Sequence, residues 1–224
     1  MKKLIPYSLA LIITIGLISL SFGEPVVLKS KYAQFKKKNA PQYLDGDIIF
    51  QSSEYGQSKA IQLATKSRYS HVGMIFHQNG KAFVLEAVQP VTVTLLSDWI
   101  THGTNNHFVV KRLKNRDEIL TETVLQKMHK MGTNWVGKDY DLYFGWSDDM
   151  IYCSELVWKI YHQNTGLKIG QLQKLKDFDL SHPLVKNIMK ERYGNDIPWD
   201  EETISPGAMF ESELLVEVYS EGKL

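Results

Sequence analysis

Three side chains in this sequence could together transfer an acyl group: a thiol, an imidazole and a carboxylate. Cys153 is the sole cysteine of the 224 residues. It can form no internal disulfide, and its thiolate is a nucleophile wherever a base or a helix N-terminus stabilises it. His71 and Glu86 lie on either side of Asn79-Gly80, and Asn-Gly between two apolar runs marks a two-residue hairpin turn. With that turn Gln78 faces Lys81, Phe76 faces Phe83, Met74 faces Leu85 and Gly73 faces Glu86. Met74, Phe76, Phe83 and Leu85 then share one face, and His71, Gly73 and Glu86 the other. Glu86 is diagonal to His71, roughly 7 to 8 Å away between Cβ atoms, which two extended side chains can bridge. Gly73 leaves room between them. A carboxylate on one imidazole nitrogen fixes the tautomer and leaves the other nitrogen to take a proton from a nucleophile.

The elements around these residues must bring them together. Cys153 stands where a helix begins, with Leu156, Val157, Ile160 and Tyr161 continuing its apolar stripe and Gly166 ending it. The sulfur should therefore point inward at a helix N-terminus, which favours the thiolate. Taken singly, each residue also has an ordinary role: Cys153 as a small buried hydrophobe, His71 as a hydrogen-bonded strand residue, Glu86 as a solvent-facing one. The shared face and the lone thiol together favour catalysis. A strand over 48–50 follows Asp45-Gly46-Asp47, and a helix over 58–65 has Ser58 to cap it. Strands are expected over 71–77, 81–88, 91–96 and 108–113, with a short segment around Trp99. An amphipathic helix over 117–131, a helix over 184–192 and a strand over 214–218 complete the pattern. This predicts an α+β fold with a small antiparallel sheet packed against helices. Just ahead of the cysteine helix, Asp148 and Asp149 would cap it, or one of them would meet an amine on a substrate. Tyr152 would line the pocket or pack the helix start, and Ser205 reads as a turn residue.

Composition sets the wider limits. With 43% hydrophobic residues the chain can bury one compact core. Lys plus Arg (26) balance Asp plus Glu (25), so no global field would attract nucleic acid. Met1-Lys2-Lys3 followed by an apolar run to about Leu20 reads as an export signal, with a cut expected before Glu24. Left uncut, residues 1–23 would form an N-terminal anchor and associate the chain with a membrane. Either way the rest lies outside the cytoplasm, periplasmic or extracellular. Residues 24–43 form a polar, lysine-rich tether and 44–224 the catalytic domain. No cofactor is called for. His71 and His77 share a strand face, but no Glu-containing helical zinc motif or cysteine cluster accompanies them, so no metal is expected. A Gly-x-Ser-x-Gly elbow is likewise missing from the sequence.

Longer stretches carry a resemblance. Asp45-Gly46-Asp47-Ile48-Ile49-Phe50, Tyr69-Ser70-His71-Val72-Gly73-Met74, Leu85-Glu86-Ala87-Val88 and Tyr152-Cys153-Ser154-Glu155-Leu156-Val157 resemble the YiiX-like permuted papain-like enzymes. So do Gln57 to Thr65, Trp146-Ser147-Asp148-Asp149 and Ser205-Pro206 followed by Phe210. These enzymes are related to NlpC-type peptidases and lecithin retinol acyltransferase. The resemblance implies a circularly permuted papain-like fold, with the histidine strand before the cysteine helix, and a triad of Cys153, His71 and Glu86. The expected reaction is amide hydrolysis through a thioester on a peptide or cell-wall-like stem peptide. A lipid ester or acyl amide is the alternative, and a non-catalytic binding module is a third reading. A large apolar groove beside Cys153 would favour lipid; a polar cleft with the two aspartates exposed would favour peptide. The backbone N–H of Cys153 is the expected first oxyanion donor, and no residue type or spacing assigns the second.

Overall fold

The computed structural model describes residues 42–54 and 56–222. The expected export segment and nearly all of the tether lie outside the described residues. In chain order the elements are β1 (Ile48–Gln51), α1 (Ser58–Thr65), β2 (His71–Gln78), β3 (Lys81–Ala87), β4 (Val91–Leu95), α2 (Leu96–Thr101) and β5 (Phe108–Leu113). They continue with α3 (Arg116–Ile119), α4 (Glu122–Trp135), α5 (Cys153–Thr165), β6 (Gln173–Lys174), α6 (Pro183–Tyr193), β7 (Glu202–Thr203), α7 (Pro206–Phe210) and β8 (Leu215–Glu221).

The main sheet has six strands in the order β4-β3-β2-β1-β5-β8, and every neighbouring pair is antiparallel. Its centre is the β2-β3 hairpin. Asn79 (φ 52°) and Gly80 (φ 73°) take the left-handed conformations that a tight hairpin turn requires. Gln78 pairs with Lys81, Phe76 with Phe83 and Met74 with Leu85, the register the turn predicts.

Both faces of the sheet are covered. On one, Phe50, Val72, Met74 and Leu85 pack against Leu156, Val157 and Ile160 of α5 and Met128 of α4. On the other, Ile49, Ile75, Val84, Phe108 and Val110 pack with Trp99 of α2. A third cluster joins Ala60 of α1 to Val185 and Met189 of α6 through Leu175.

Some local expectations are corrected. The helix expected over 117–131 is two helices, because Thr121 is extended and accepts the Val124 N–H at 3.4 Å, starting α4 afresh. The segment around Trp99 is the helix α2. Ser58 lies inside α1 and does not cap it: its hydroxyl is bonded to that of Ser70. Ser205 caps α7, accepting the Ala208 N–H at 3.0 Å. Among the described residues no helix is long and apolar enough to cross a membrane.

Candidate active site

Cys153 is the first residue of α5, and both ends of that helix are tied to other parts of the chain. At the start, Ser154 Oγ donates to the Ile204 carbonyl at 2.7 Å. The Tyr152 hydroxyl shares a 2.9 Å hydrogen bond with Thr203 Oγ1 and accepts the Ile204 N–H at 3.1 Å. Further along, the Tyr161 hydroxyl donates to the Gly46 carbonyl. Neither Asp148 nor Asp149 caps the helix as expected; the Glu155 carboxylate does so, accepting the Tyr152 N–H at 3.3 Å. Glu155 is wholly buried and pairs with Lys159 at 2.7 Å. Burial pushes its carboxyl up to about 7, against the pull of that lysine. Lys159 also reaches Asp148 at 2.7 Å, which accounts for that aspartate.

His71 begins β2, and the first residues of β2 meet the first residue of α5. The thiol accepts from the backbone N–H groups of Val72 and Ser154 and is hydrogen-bonded to the His71 imidazole. His71 Nε2 lies 2.6 Å from Glu86 Oε2, leaving Nδ1 to the thiol. Glu86, 1% exposed, accepts two further hydrogen bonds, from Trp99 Nε1 at 2.9 Å and from the Thr94 hydroxyl. Trp99 also stacks on the imidazole, with centroids 5.9 Å apart. Gly73 is the space between strands that this requires: a Cβ there would come within 2.3 Å of Val84 Cγ1.

The charges follow from this packing. Burial opposes ionisation of all three groups, but their mutual bonds prevail. The imidazole is raised to about 10 by Cys153 and Glu86 despite its desolvation. The Cys153 thiol is lowered, because the hydrogen bond and charge of His71 and the two backbone N–H groups outweigh burial. Glu86 is lowered likewise, by His71 first and then by Thr94 and Trp99. A thiolate beside an imidazolium, steadied by a buried carboxylate, can attack a carbonyl carbon and then protonate a leaving group.

Tyr140 and Gln57 beside the thiol were missed in the sequence, as were Trp99 and Thr94 at Glu86. The Tyr140 hydroxyl is hydrogen-bonded to Cys153 and to Gln57, and burial beside the thiolate holds it well above the ordinary tyrosine range, so it stays a neutral donor. Tyr140 is held there by a bridge pairing it with Ile151 and by Gln89, whose Oε1 accepts the Tyr140 N–H at 2.7 Å. It lies in an aperiodic stretch, where no hydrophobic pattern could single it out.

Two cavities adjoin at Gln57, Ile61, Tyr140 and Arg192, one lined by Cys153 and the other by His71. A narrow one, about 90 Å³, is lined by Cys153, Tyr152 and Tyr140 and then by Ala60, Ile61, Ala64, Val185 and Ile188. A wider cleft of about 660 Å³ is lined by His71, Ser53, Ser58, Ser70, Gln89 and Tyr140 together with Ala87, Val88 and Leu142. Asp148 and Asp149 line neither of them. Tyr152 therefore both packs the helix start and lines the narrow cavity.

The family model of permuted papain-like amidase enzymes, YaeF/YiiX, C92 family, matches residues 42–219. The chain belongs to this family. A relative within reach is the uncharacterized protein YiiX of Escherichia coli (strain K12), 48% identical over 179 residues, covering 80% of this chain and 87% of the relative. A crystal structure described as that of metalloprotein yiiX from Escherichia coli O157:H7 superposes with a TM-score of 0.76 at 48% identity, covering 81% of this chain and 99% of that one. The permuted papain-like amidase fold, helices against an antiparallel sheet, is thus the fold of this chain.

Proposed function

We propose that the chain hydrolyses an amide bond through a thioester on Cys153, outside the cytoplasm. The observation that carries this reading is the buried line of hydrogen bonds from Cys153 through His71 to Glu86, with the thiol depressed and the imidazole raised. The thiolate attacks the carbonyl carbon and a C–S bond forms. The oxyanion meets the backbone N–H of Cys153 and the hydroxyl of Tyr140. The C–N bond then breaks and His71 gives its proton to the departing nitrogen. Water attacks the thioester, His71 takes a proton from it, the C–S bond breaks and a carboxylic acid leaves. Glu86 holds the imidazole in one tautomer throughout.

The related crystal structure is described as a metalloprotein. Among the described residues here, no group of three or more His, Cys, Asp or Glu is arranged to hold a metal ion. The Glu86 oxygens already receive three donors. This donor set does not fit a metal.

Export rests on the sequence: Lys2-Lys3, the apolar run and the small residues Ser21 and Gly23. N-terminal sequencing of the chain from a periplasmic or culture fraction should read from Glu24 if the segment is cut. Recovery only in the cytoplasm would refute export. The chemistry is tested by acid-quenching the full chain with an activated acyl amide and weighing it: an acyl adduct on Cys153 is expected, and Cys153→Ala should abolish it. A Cys153→Ala chain that hydrolyses the amide as fast as the wild type would refute the thioester.

A further inference from the structure

Among the described residues, the wall of the wide cleft holds one guanidinium and no carboxylate. The guanidinium is that of Arg192, near the end of α6, where the two cavities adjoin. Its Nη2 donates to Gln57 Oε1 at 2.8 Å, and its Cζ lies 5.4 Å from the centre of the Phe144 ring. These two contacts set the plane of the fork. No salt bridge reaches it among the described residues.

The other polar side chains of that wall are engaged. Ser70 Oγ accepts the Ser53 N–H at 3.0 Å and is bonded to the Ser58 hydroxyl. Gln89 donates to Asp139 Oδ1 and accepts the Tyr140 N–H, both at 2.7 Å. Gln57 spans Arg192 and Tyr140. Asp141 and Glu201, the acids near this end of α6, are taken up by the backbone: Asp141 accepts the N–H groups of Tyr143 and Gly145 at 2.7 Å each, and Glu201 that of Trp146 at 2.9 Å. Arg192 is left with N–H donors facing a cleft that supplies no anion, and a half-buried guanidinium suits a carboxylate in two parallel hydrogen bonds. A cleft of this sign takes a substrate acid, the reverse of the amine that Asp148 or Asp149 was expected to meet.

Resting on the thioester chemistry proposed above, we infer that the departing amine bears a carboxylate, which Arg192 receives in the wide cleft: the substrates are amides whose amine half is an amino acid with its carboxylate free. His71 lines the same cleft and protonates the departing nitrogen, so the amine half is the half that lies beside Arg192. Hydrolysis breaks the acyl C–N bond, consumes one water and yields a carboxylic acid and an amino acid.

The test uses the full chain and two butanoyl amides: that of p-nitroaniline bearing a ring carboxylate, and that of the methyl ester of the same aniline, which lacks the charge. Release of the coloured aniline and the mass of the Cys153 adduct are both read. The carboxylate compound should have the higher kcat/KM by about tenfold at low salt, and the advantage should shrink as salt is added. Arg192→Gln should remove the preference, and Arg192→Lys, which keeps the charge without the fork, should retain part of it. Iodoacetamide labelling of Cys153 in each variant shows that the site is folded. Because the ratio of the two substrates is read, a general loss of activity through Gln57 and Tyr140 does not imitate the result. Equal kcat/KM for the two compounds in a wild type that is acylated at Cys153 overturns the inference and leaves the hydrolase standing. A preference that persists in Arg192→Gln overturns it too. Absence of turnover and of any adduct with both compounds overturns the inference and the proposed chemistry together.

Discussion

Glu86 shows how much a single side chain can organise: it accepts from His71, Trp99 and Thr94 while almost wholly buried. Glu86→Gln keeps the shape but loses the charge that favours the imidazolium, and it should lower kcat by about 10²-fold or more. Tyr140→Phe removes one oxyanion donor and should cost about 10²-fold in kcat with little change in KM. The thiol should alkylate rapidly at pH 6, where an ordinary cysteine is mostly protonated, and His71→Ala should abolish that acidic reactivity. Activity should fall as pH rises through about 10, where His71 loses its proton. The raised His71 value contributes stability in full below its ordinary 6.5 and loses it as pH climbs through about 10. The depressed Cys153 and Glu86 contribute in the opposite sense: fully above their ordinary values, lost as pH falls through their folded ones. The placement of His71, Glu86 and Cys153 was legible because parity along a hairpin and the start of an apolar helix stripe are local facts. Trp99, Gln57 and Tyr140 were not, since Trp99 comes from a six-residue helix and the other two from connections, and the path of each depends on tertiary contacts.

At the level of elements, the hairpin register was legible because Asn79-Gly80 admits one common turn geometry, and one strand's apolar face fixes the other's. The break between α3 and α4 was not, because the apolar periodicity runs through it and a single capping threonine decides it. Thr121→Ala should therefore destabilise the fold by about 1 kcal/mol in urea denaturation, with the site intact. Gly73→Ala is a different case. Its Cβ would meet Val84 Cγ1 at 2.3 Å and the Leu85 carbonyl at 3.0 Å, so β2 and β3 must separate at the point where His71 reaches Glu86. A loss of about 1 to 3 kcal/mol is expected, together with a fall in kcat that Thr121→Ala does not share.

For the molecule as a whole, the buried Glu155-Lys159 pair ties stability to pH from a position behind the nucleophile. Because burial raises Glu155 to about 7, its contribution to stability falls as pH climbs from its ordinary 4.5 to about 7 and is level beyond that. Lys159→Met strands the carboxylate, so its melting temperature should drop more at pH 8 than at pH 5, where Glu155 can take up a proton. The moorings of α5, from Ser154 and Tyr152 to residues 203–204 and from Tyr161 to Gly46, have one more consequence. A helix pinned at the nucleophile and again two turns later can neither slide nor tilt when a substrate arrives. The free and acylated forms should then superpose along α5 to within about 1 Å, and whatever motion admits the substrate must come from the cavity walls on α1 and α6.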